Sequence, residues 1–475
     1  MKPERHYLRA AALVSIVALC VACGRKYDVA QPLDNWTSNT NEHIKGTEIS
    51  IHQGETLRAS DDYKNFCLTG EAMTSGDAEA AIMFHSDGAS GYEVLLHNGP
   101  IDGSRKTGSL SSVRNLYRSL AVDGQWFNFE VTVRGKNISV KVNDVDVVCY
   151  TEPEAPYRTE EHSGQLLSHG GFALVGKKGD VKFRNLQVAM LRDDAVNPND
   201  TMPAIDEQAD NIIRLQQQDF PVIDYHVHLK GGLTKEQAHA MSMNYGINYG
   251  VAPNLGEGGV GRMLAGDEEA KEYYEEVKPL PFLVGAQGEG RRWLVTFSSE
   301  AIGLFDYFFT DAMTVVDKGR ICRIYRPEEE LKDGRSNQQY MDMIVDQTVK
   351  ILTNEPADIF ANATYIPDDM YADYSSYWTD ERVDRVLDVL EKYDIALEIN
   401  ARYKIPSMDV IKKAKSRGLK FTFGTNNVDA NFGKLEYSIE AIKECGLTAD
   451  DIWFPSMSKR KEHPAVDYNH FGDKK

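Results

Sequence analysis

The spacing of hydrophobic and polar residues divides the 475-residue chain into two parts with different predicted folds. From about residue 46 to 192, short runs alternate between apolar and polar positions and end at Gly, Asn or Asp, which is typical of β-strands joined by tight turns. Residues 127–150 predict three such strands, separated by a Gly-Lys-Asn turn and an Asn-Asp turn. Because no long helical period interrupts the series, we expect an all-β sandwich.

Beyond Pro221, apolar runs alternate with amphipathic segments of helical period. The runs cover residues 221–229, 247–254, 281–286, 305–309, 357–361, 395–400 and 419–424. Residues 379–394 predict a helix that begins after a capping Thr379. Its apolar face comprises Val383, Val386, Leu387 and Leu390. Repeated β-then-α units predict a parallel sheet, and seven or eight of them predict an α/β barrel.

The first 22 residues have the pattern of an export signal. A basic start precedes an apolar run, residues 10–22, that is too short to span a bilayer. Residues 21–24 place Cys23 after small residues and resemble the lipobox of bacterial lipoproteins, which implies lipidation of Cys23. The sequence therefore predicts an exported lipoprotein on the periplasmic or cell-surface face of a membrane, attached through its N-terminal lipid only.

Composition and charge set the expected domain boundaries and partners. The predicted segments are a signal peptide at 1–22, a polar tether at 23–45, the sandwich at 46–192, a charged linker at 193–217 and the barrel at 218–475. The formal net charge is −19, and no basic cluster offsets the field of a phosphate backbone. We therefore expect a saccharide or another small molecule as the partner, and not nucleic acid.

The order of motifs in the first part resembles the 3-keto-disaccharide hydrolase domain. The motifs are "SGYEVLL" (90–96), "KTGSL" (106–110), "GQWFNFEVTVRGKNISVKVNDVDVV" (124–148) and "GGFALVGKKGDVKFRNLQV" (170–188). That family is a concanavalin-like jelly roll in exported bacterial proteins that handle glucosides and their 3-keto derivatives. The resemblance implies a jelly-roll sandwich with sugar chemistry.

Two residues of this part match recurrent family positions, Glu93 and Arg184. The resemblance makes Glu93 a candidate general base or sugar ligand and Arg184 a candidate substrate-binding residue. A simple exposed carboxylate on a strand is the alternative for Glu93. Trp126 fits a sandwich core better than a platform for a sugar ring.

Polar side chains recur at the predicted ends of the barrel strands, where barrels of this kind carry their chemistry. They are His226, His228, Glu257, Glu289, Asp311, Asn362, Glu398, Asn400, Asn426 and Asn427. The His-x-His pair puts two imidazoles on one face at the end of a strand. Because so many converging polar groups would be costly without a ligand, the pattern predicts a functional pocket.

The second part resembles the polymerase and histidinol phosphatase (PHP) domain, a metal-dependent phosphoesterase fold related to amidohydrolase barrels. The resemblance rests on "DYHVHL", "FDYFFTDAM", "IFANATYIP", "LEINARYKIP" and "LKFTFGTNN" in that order, and it implies a cluster of two or three divalent metals. Asp311 stands where a His is expected, Asn362 replaces a His, and Asn426 replaces an Asp. We therefore do not expect a three-metal cluster.

A reduced site is compatible with these residues. The candidate ligands of one Zn or Mn ion are His226, His228, Glu289, Asp311 and Glu398. Glu257 or Asp311 is the candidate base. The candidate substrate-binding residues of the barrel are Arg291, Arg292, Asn362, Asn400, Asn426 and Asn427. Alternatively, the two histidines cap the barrel through hydrogen bonds, and the asparagines bind a polyol without metal.

The sequence thus favours a lipid-anchored hydrolase that acts on glycosides or 3-keto-glycosides, with a metal-assisted step in the barrel. A non-catalytic sugar-binding lipoprotein with a degenerate barrel is the alternative, and the missing histidines favour it. Phosphoesterase action is a weaker alternative, because the imidazole ligands that it requires are absent.

Overall fold

The computed structural model describes residues 29–37, 44–86, 90–192, 202–256, 262–289, 293–326 and 332–455. The chain forms two compact units. The first contains the residues up to Gly99 together with Arg105–Gln217, and the second contains Pro100–Ser104 and the residues from Gln218 onward. No helix in these described ranges has the length and apolar character needed to cross a membrane.

The first unit is an all-β sandwich, as predicted. Its described strands are β1 (Gln31–Pro32), β2 (Ile44–Lys45), β3 (Glu48–His52), β4 (Thr56–Tyr63), β5 (Phe66–Thr74), β6 (Glu79–Ser86), β7 (Tyr92–His97), β8 (Phe127–Arg134), β9 (Asn137–Val142), β10 (Val145–Thr151), β11 (Gly170–Lys178) and β12 (Asp180–Met190). One sheet has the order β10-β9-β8-β5-β12-β3-β2, with β1 also paired to β12, and the other has the order β4-β11-β6-β7. All of these pairings are antiparallel.

The core of this unit follows from the period-two alternation of its strands. Along β5, buried and half-buried positions alternate without a break, so one face packs inward while the other is partly exposed. The predicted turn between β9 and β10 has Asn143 at φ +50° and Asp144 at φ +65°. Asn and Asp tolerate this left-handed backbone, which is why the Asn-Asp signal located the turn correctly.

The sandwich extends further at its N-terminal edge than the predicted boundary of 46. The strand β1 pairs with β12 at Gln31, and the backbone N–H of Leu33 donates to Leu186 O across 2.9 Å. Leu33 and Trp36 are both buried in the core. Residues 29–37 therefore belong to the domain, whereas the composition had assigned them to a tether, because two apolar side chains in a polar stretch gave a weak signal.

The predicted linker also contributes to the sandwich, since residues 202–217 pack within the first unit. The carboxylate of Glu207 is fully buried and forms an ion pair of 2.8 Å with Arg158. Tyr150 donates a hydrogen bond of 2.5 Å to Glu207, and Arg158 donates to the Tyr150 hydroxyl across 2.9 Å. The charged composition of this stretch suggested solvent exposure, but here the charges are paired inside the domain.

The second unit contains a closed parallel barrel. Its described strands are β13 (Ile223–Val227), β14 (Asn248–Val251), β15 (Asn254–Leu255), β16 (Met263–Leu264), β17 (Leu283–Gly288), β18 (Tyr307–Thr310), β19 (Thr314–Asp317), β20 (Arg320–Arg323), β21 (Ile359–Phe360), β22 (Ala396–Asn400) and β23 (Phe421–Gly424). Seven of these strands close in the order β13-β14-β17-β18-β21-β22-β23 and back to β13. Each barrel strand lies within or overlaps one of the seven predicted apolar runs.

Helices connect the barrel strands, as the amphipathic segments predicted. The α-helices in the described ranges are Asn211–Gln216 in the first unit and, in the second, Lys235–Tyr245, Asp267–Val277, Ser299–Ile302, Asn337–Asn354, Tyr374–Tyr377, Asp380–Tyr393, Met408–Ser416 and Glu436–Cys445. Short 3-10 helices lie at Trp293–Val295, Asp368–Asp373 and Ala449–Asp451. The helix Asp380–Tyr393 is capped by Thr379, and all four predicted face residues are buried.

Candidate functional site

His226 on β13 and Glu398 on β22 are in direct contact across the end of the intervening strand β23. His226 Nδ1 donates a hydrogen bond to Glu398 Oε1 across 2.6 Å, and both side chains are buried. The other ring nitrogen, His226 Nε2, is buried and has no hydrogen-bond partner among the described residues. A buried polar atom without a partner costs about 1–3 kcal/mol, so it marks a position with a potential role beyond packing.

Glu398 is held by donors on both of its oxygens. Its Oε2 accepts from the backbone N–H of Asn362 across 2.7 Å and from Asn400 Nδ2 across 3.1 Å. Burial acts to raise the pKa of Glu398, but the charge of His226 and these hydrogen bonds outweigh it and hold the pKa below its usual range. Glu398 therefore orients the His226 ring, and the oxygens that the metal prediction assigned to a cation are already engaged.

Asp311 is the centre of a second group of hydrogen bonds. Its Oδ2 accepts from Gln287 Nε2 across 3.0 Å and from Asn362 Nδ2 across 2.9 Å, while Oδ1 accepts from the backbone N–H of Met313. Gln287 was not singled out from the sequence, although it lies only two residues before Glu289 at the end of β17. Asn362 therefore links the two carboxylates: its side-chain N–H₂ donates to Asp311 and its backbone N–H donates to Glu398.

The predicted substrate-binding asparagines hold this network together. Asn362 Oδ1 accepts from Asn400 Nδ2 and from Asn426 Nδ2, each across 3.0 Å. Asn362 and Asn426 have φ values of +50° and +43°, a left-handed backbone that Asn adopts more readily than most residues. Their identity therefore has a conformational reason in addition to any contact with a ligand.

His228 and Asn427 form a separate pair. Asn427 Oδ1 accepts from the backbone N–H of His228 across 2.7 Å, and its Nδ2 donates to His228 O across 2.9 Å. The His228 ring donates from Nδ1 to Ala252 O across 2.7 Å. Burial lowers the pKa of His228 well below its usual value, so the ring is neutral at physiological pH. Asn427 therefore positions the backbone of His228, and most of the hydrogen-bonding capacity of the Asn427 side chain is used.

Glu289 directly follows β17, and its carboxylate interacts with a tyrosine and a lysine. Tyr325 donates to Glu289 Oε1 across 3.1 Å. Burial raises the pKa of Tyr325, and the charge of Glu289 adds to this effect. Burial lowers the pKa of Lys230, and the charge of Glu289 opposes that shift. Glu289 therefore acts on Tyr325 and on Lys230.

The five predicted metal ligands do not assemble as one site. Within the part of the chain that the structure describes, no three His, Cys, Asp or Glu side chains are arranged so that they could hold a metal ion. His226 Nε2 fits the pattern of a metal-binding imidazole whose other nitrogen donates to a carboxylate, but Glu398 and Asp311 already accept hydrogen bonds from the protein. The described donor set therefore does not fit the predicted cation.

Four predicted residues lie outside the described residues. They are Cys23, Glu257, Arg291 and Arg292. Among the described candidates, the structure brings together His226, Asp311, Asn362, Glu398, Asn400 and Asn426. Apart from His226 Nε2, the polar groups of these side chains largely satisfy one another, so they do not form an unsatisfied rim.

In the sandwich, Glu93 on β7 forms an ion pair with Lys177 on β11. Lys177 Nζ lies 2.6 Å from Glu93 Oε2, with 29% of the Lys177 side chain and 19% of the Glu93 side chain exposed. Glu93 is therefore neither a free surface carboxylate nor part of the core. Lys177 was not predicted, although its place in the quoted motif at 170–188 could have identified it.

Arg184, on β12 of the other sheet, lies next to Trp126, which directly precedes β8. Arg184 forms an ion pair with Glu71, with Nη2 and Nε each 2.9 Å from a carboxylate oxygen. The Arg184 guanidinium carbon lies 4.1 Å from the centre of the Trp126 ring. Trp126 is half-buried and carries a cation on its ring, so it is not the core residue that the sequence favoured. Glu71 therefore accepts from two of the nitrogens of Arg184, the residue that was predicted to bind substrate.

The model of the 3-keto-alpha-glucoside-1,2-lyase-like domain family matches residues 30–189, about a third of the chain. This match confirms that the first part contains a 3-keto-disaccharide hydrolase-like domain. It also begins within the stretch that the structure adds to the sandwich. No curated protein matches the chain.

Solved structures with similar folds align with about a third of the chain. A protein of Parabacteroides distasonis ATCC 8503, provisionally assigned as a glycosyl hydrolase, is 17% identical over 34% of this chain and 100% of its own, with a TM-score of 0.29. The carbohydrate-binding module CBM66 of Bacillus subtilis is 13% identical over 32% of this chain and 94% of its own, with a TM-score of 0.24. At these TM-scores the likenesses carry no argument about function, so the family match stands without them.

Proposed function

We propose that the chain processes saccharides and that its sandwich acts on glycosides or on their 3-keto derivatives. The observation that carries this proposal is the match of residues 30–189 to the 3-keto-alpha-glucoside-1,2-lyase-like domain model. The Glu93–Lys177 pair also supports the proposal, because it places a partly exposed carboxylate next to a partly exposed ammonium group. Such a pair offers an acceptor and donors to the hydroxyls and glycosidic oxygen of a sugar.

The proposed reaction begins at C2 of a 3-keto-glycoside. The neighbouring carbonyl makes the C2 hydrogen acidic, and the Glu93 carboxylate removes it as a proton. The electron pair left on C2 forms a C1–C2 double bond while the C1–O bond to the leaving group breaks. Lys177 gives a proton to the departing oxygen, and addition of water across the double bond completes a net hydrolysis.

The experiment is a rate comparison on methyl 3-keto-α-glucoside. We expect the wild type to release methanol and the Glu93→Gln variant to be slower by about a hundredfold, because the base is lost. Glu48→Gln is the matched control, since Glu48 also pairs with a lysine, Lys182, at 2.9 Å, but that pair is more exposed. Equal rates in the wild type and Glu93→Gln would reject the assignment.

A non-catalytic sugar-binding protein is the second candidate. Two observations favour it: Lys177 already occupies the Glu93 carboxylate, and the polar groups at the barrel ends pair with one another. This alternative predicts saturable binding of the same glycosides without any product. The product analysis therefore separates the two candidates.

The proposal keeps the lipoprotein prediction and a PHP-like origin for the barrel. Cys23→Ala is expected to move the exported protein from the membrane fraction to the soluble fraction. The steps proposed for the sandwich use the Glu93 carboxylate as base and the Lys177 ammonium group as acid. Zn or Mn binding stays a prediction, and phosphoesterase action is not proposed, because the imidazole ligands implied by the PHP resemblance are missing.

A further inference from the structure

A cleft of about 230 Å³ lies between two loops of the barrel unit, at the carboxyl ends of β21 and β22. The loops continue directly from Asn362 and Asn400, two members of the hydrogen-bonded network. Six of the residues that line it carry the argument: Tyr365, Asp368, Tyr371, Tyr374, Arg402 and Tyr403. None of them was singled out by the sequence, and the chemistry proposed for the sandwich does not involve them.

The tyrosines pack against one another and hold the cleft in shape. Tyr365 from the first loop and Tyr403 from the second meet edge to face, with ring centres 5.0 Å apart. Tyr371 and Tyr374 lie with ring centres 6.0 Å apart. The Tyr374 hydroxyl donates to the Thr364 hydroxyl at the start of the first loop. A ligand would thus meet a largely preformed aromatic wall.

Several hydroxyls of this wall are available to a ligand. Within the described ranges, the hydroxyls of Tyr365, Tyr371 and Tyr403 make no hydrogen bond to the protein. Burial raises the pKa of Tyr365 and of Tyr403, so both hydroxyls stay protonated at neutral pH and can donate as well as accept. Aromatic rings with unused hydroxyls suit a ligand that has both C–H faces and hydroxyl groups.

The two charged residues of the lining, Asp368 and Arg402, have opposite signs. The lining therefore has no net charge that would select an anion or a cation. Arg402 is partly engaged, because its guanidinium carbon lies 4.8 Å from the centre of the Tyr403 ring and Nη1 donates to Asn426 O across 3.1 Å. Its remaining N–H groups and the Asp368 carboxylate can still bind neutral hydroxyls.

The volume limits the size of the ligand. Pockets for drug-sized molecules have roughly 300–1,000 Å³, so a cleft of about 230 Å³ holds one ring and not an extended chain. We propose that this cleft binds a single neutral pyranose ring. This inference rests on the proposed saccharide function and adds to it a second sugar site, separate from Glu93.

The test is calorimetric titration of the full-length protein with methyl α-glucoside, which lacks the 3-keto group that the proposed reaction requires and is therefore not consumed. Tyr365→Ala is expected to weaken binding at the cleft by about tenfold, because the ring contact is lost. Tyr365→Phe keeps the ring and is expected to stay within about threefold of the wild type. Tyr274→Ala, at a half-buried tyrosine outside the cleft, is the control and should leave binding unchanged.

The same titration of Glu93→Gln separates this inference from the proposed function. Cleft binding that persists in Glu93→Gln and is weakened in Tyr365→Ala supports the cleft. Binding lost in Glu93→Gln but unchanged in Tyr365→Ala overturns the cleft and leaves the sandwich proposal standing. The base role of Glu93 is tested separately by the methanol-release rates, and an absence of binding to the wild type overturns the cleft.

Discussion

His226 and Glu398 form a buried pair in which Nδ1 of the imidazole lies 2.6 Å from Oε1 of the carboxylate, while Nε2 of the same ring has no partner among the described residues. This relationship gives Glu398 a positioning role. It fixes the ring orientation of His226 and leaves one nitrogen for a ligand. The His226 ring is also one of the three hydrogen-bond donors that satisfy the buried Glu398 carboxylate.

Replacing Glu398 should therefore destabilise the barrel. In Glu398→Gln, the side-chain amide N–H₂ faces either the Asn362 and Asn400 donors or His226 Nδ1. The ring can accept from the amide only if its proton moves to Nε2, which is buried and has no partner among the described residues, so in each arrangement a buried donor lacks an acceptor. We expect a loss of about 1–3 kcal/mol in the free energy of unfolding, measured by calorimetry on the barrel transition. Glu381→Gln, at an exposed position in a helix of the same unit, is the control. Equal stability of the two variants would contradict this role.

Glu207 lies beyond residue 192 and pairs with Arg158 inside the sandwich. We therefore expect the stability of the sandwich to depend on this stretch. Glu207→Gln leaves the buried Arg158 charge without its counter-ion, and breaking such a pair costs about 3–5 kcal/mol. The exposed pair of Glu48 and Lys182 provides the comparison, since Glu48→Gln should cost at most about 1 kcal/mol. The midpoint of the sandwich transition in thermal unfolding measures both. A small and equal effect in the two variants would mean that the linker contributes little.

His85 makes the stability of the sandwich depend on pH. Burial lowers the pKa of His85 below 6.5, and its neutral ring donates to Lys64 O and accepts from Ser168 N. Because the unfolded chain binds a proton that folded His85 resists, this contribution is complete above about pH 6.5 and is lost as the pH falls toward the folded pKa. The charges of Glu152, His169 and Asp62 also act on the ring.

The corresponding variant is His85→Asn, which suits the local φ of +49° and does not titrate. We expect it to be less stable than the wild type at pH 7.5, since the hydrogen bond to Lys64 is lost. Its unfolding temperature should fall less steeply than that of the wild type between pH 7 and 5, values that bracket the ordinary His pKa. Parallel curves for the two proteins would show that His85 is not responsible.

The fold was largely predictable from the sequence because it depends on periodicity. All seven barrel strands and the hairpins at 127–150 follow from apolar spacing and from Asn-Asp and Gly turns. The boundaries were less predictable, because Trp36 and Glu207 lie in polar stretches whose few core contacts are visible only in three dimensions. Composition reports the average character of a segment, and one buried side chain is enough to attach it to a domain.

The sequence predicted where the polar residues of the barrel lie, but not which of them form hydrogen bonds with one another. The strand ends did bring His226, Asp311, Asn362 and Glu398 together, as expected for a barrel. The sequence could not show that Glu398 and Asp311 would be occupied by amide and imidazole donors, since hydrogen bonding depends on side-chain geometry. Gln287 and the cleft tyrosines were missed for the same reason.

Metal binding stays a prediction, and it can be tested directly. If His226 and His228 hold a cation, elemental analysis of the untagged protein should find about one equivalent of Zn or Mn, and the His226→Ala, His228→Ala double variant should lose it. The described residues supply too few open ligands for this outcome without a rearrangement of Glu398 or Asp311. No bound metal after reloading would reject the prediction.

The central claim is that Glu93 removes the C2 proton of a 3-keto-glycoside in the sandwich. The most direct measurement is mass spectrometry of the sugar released from methyl 3-keto-α-glucoside in deuterium oxide, with free product incubated alongside to correct for exchange. We predict that the wild type releases early product with deuterium at C2 and that Glu93→Gln releases much less of it. Product without deuterium at C2, or no product from the wild type, would contradict it.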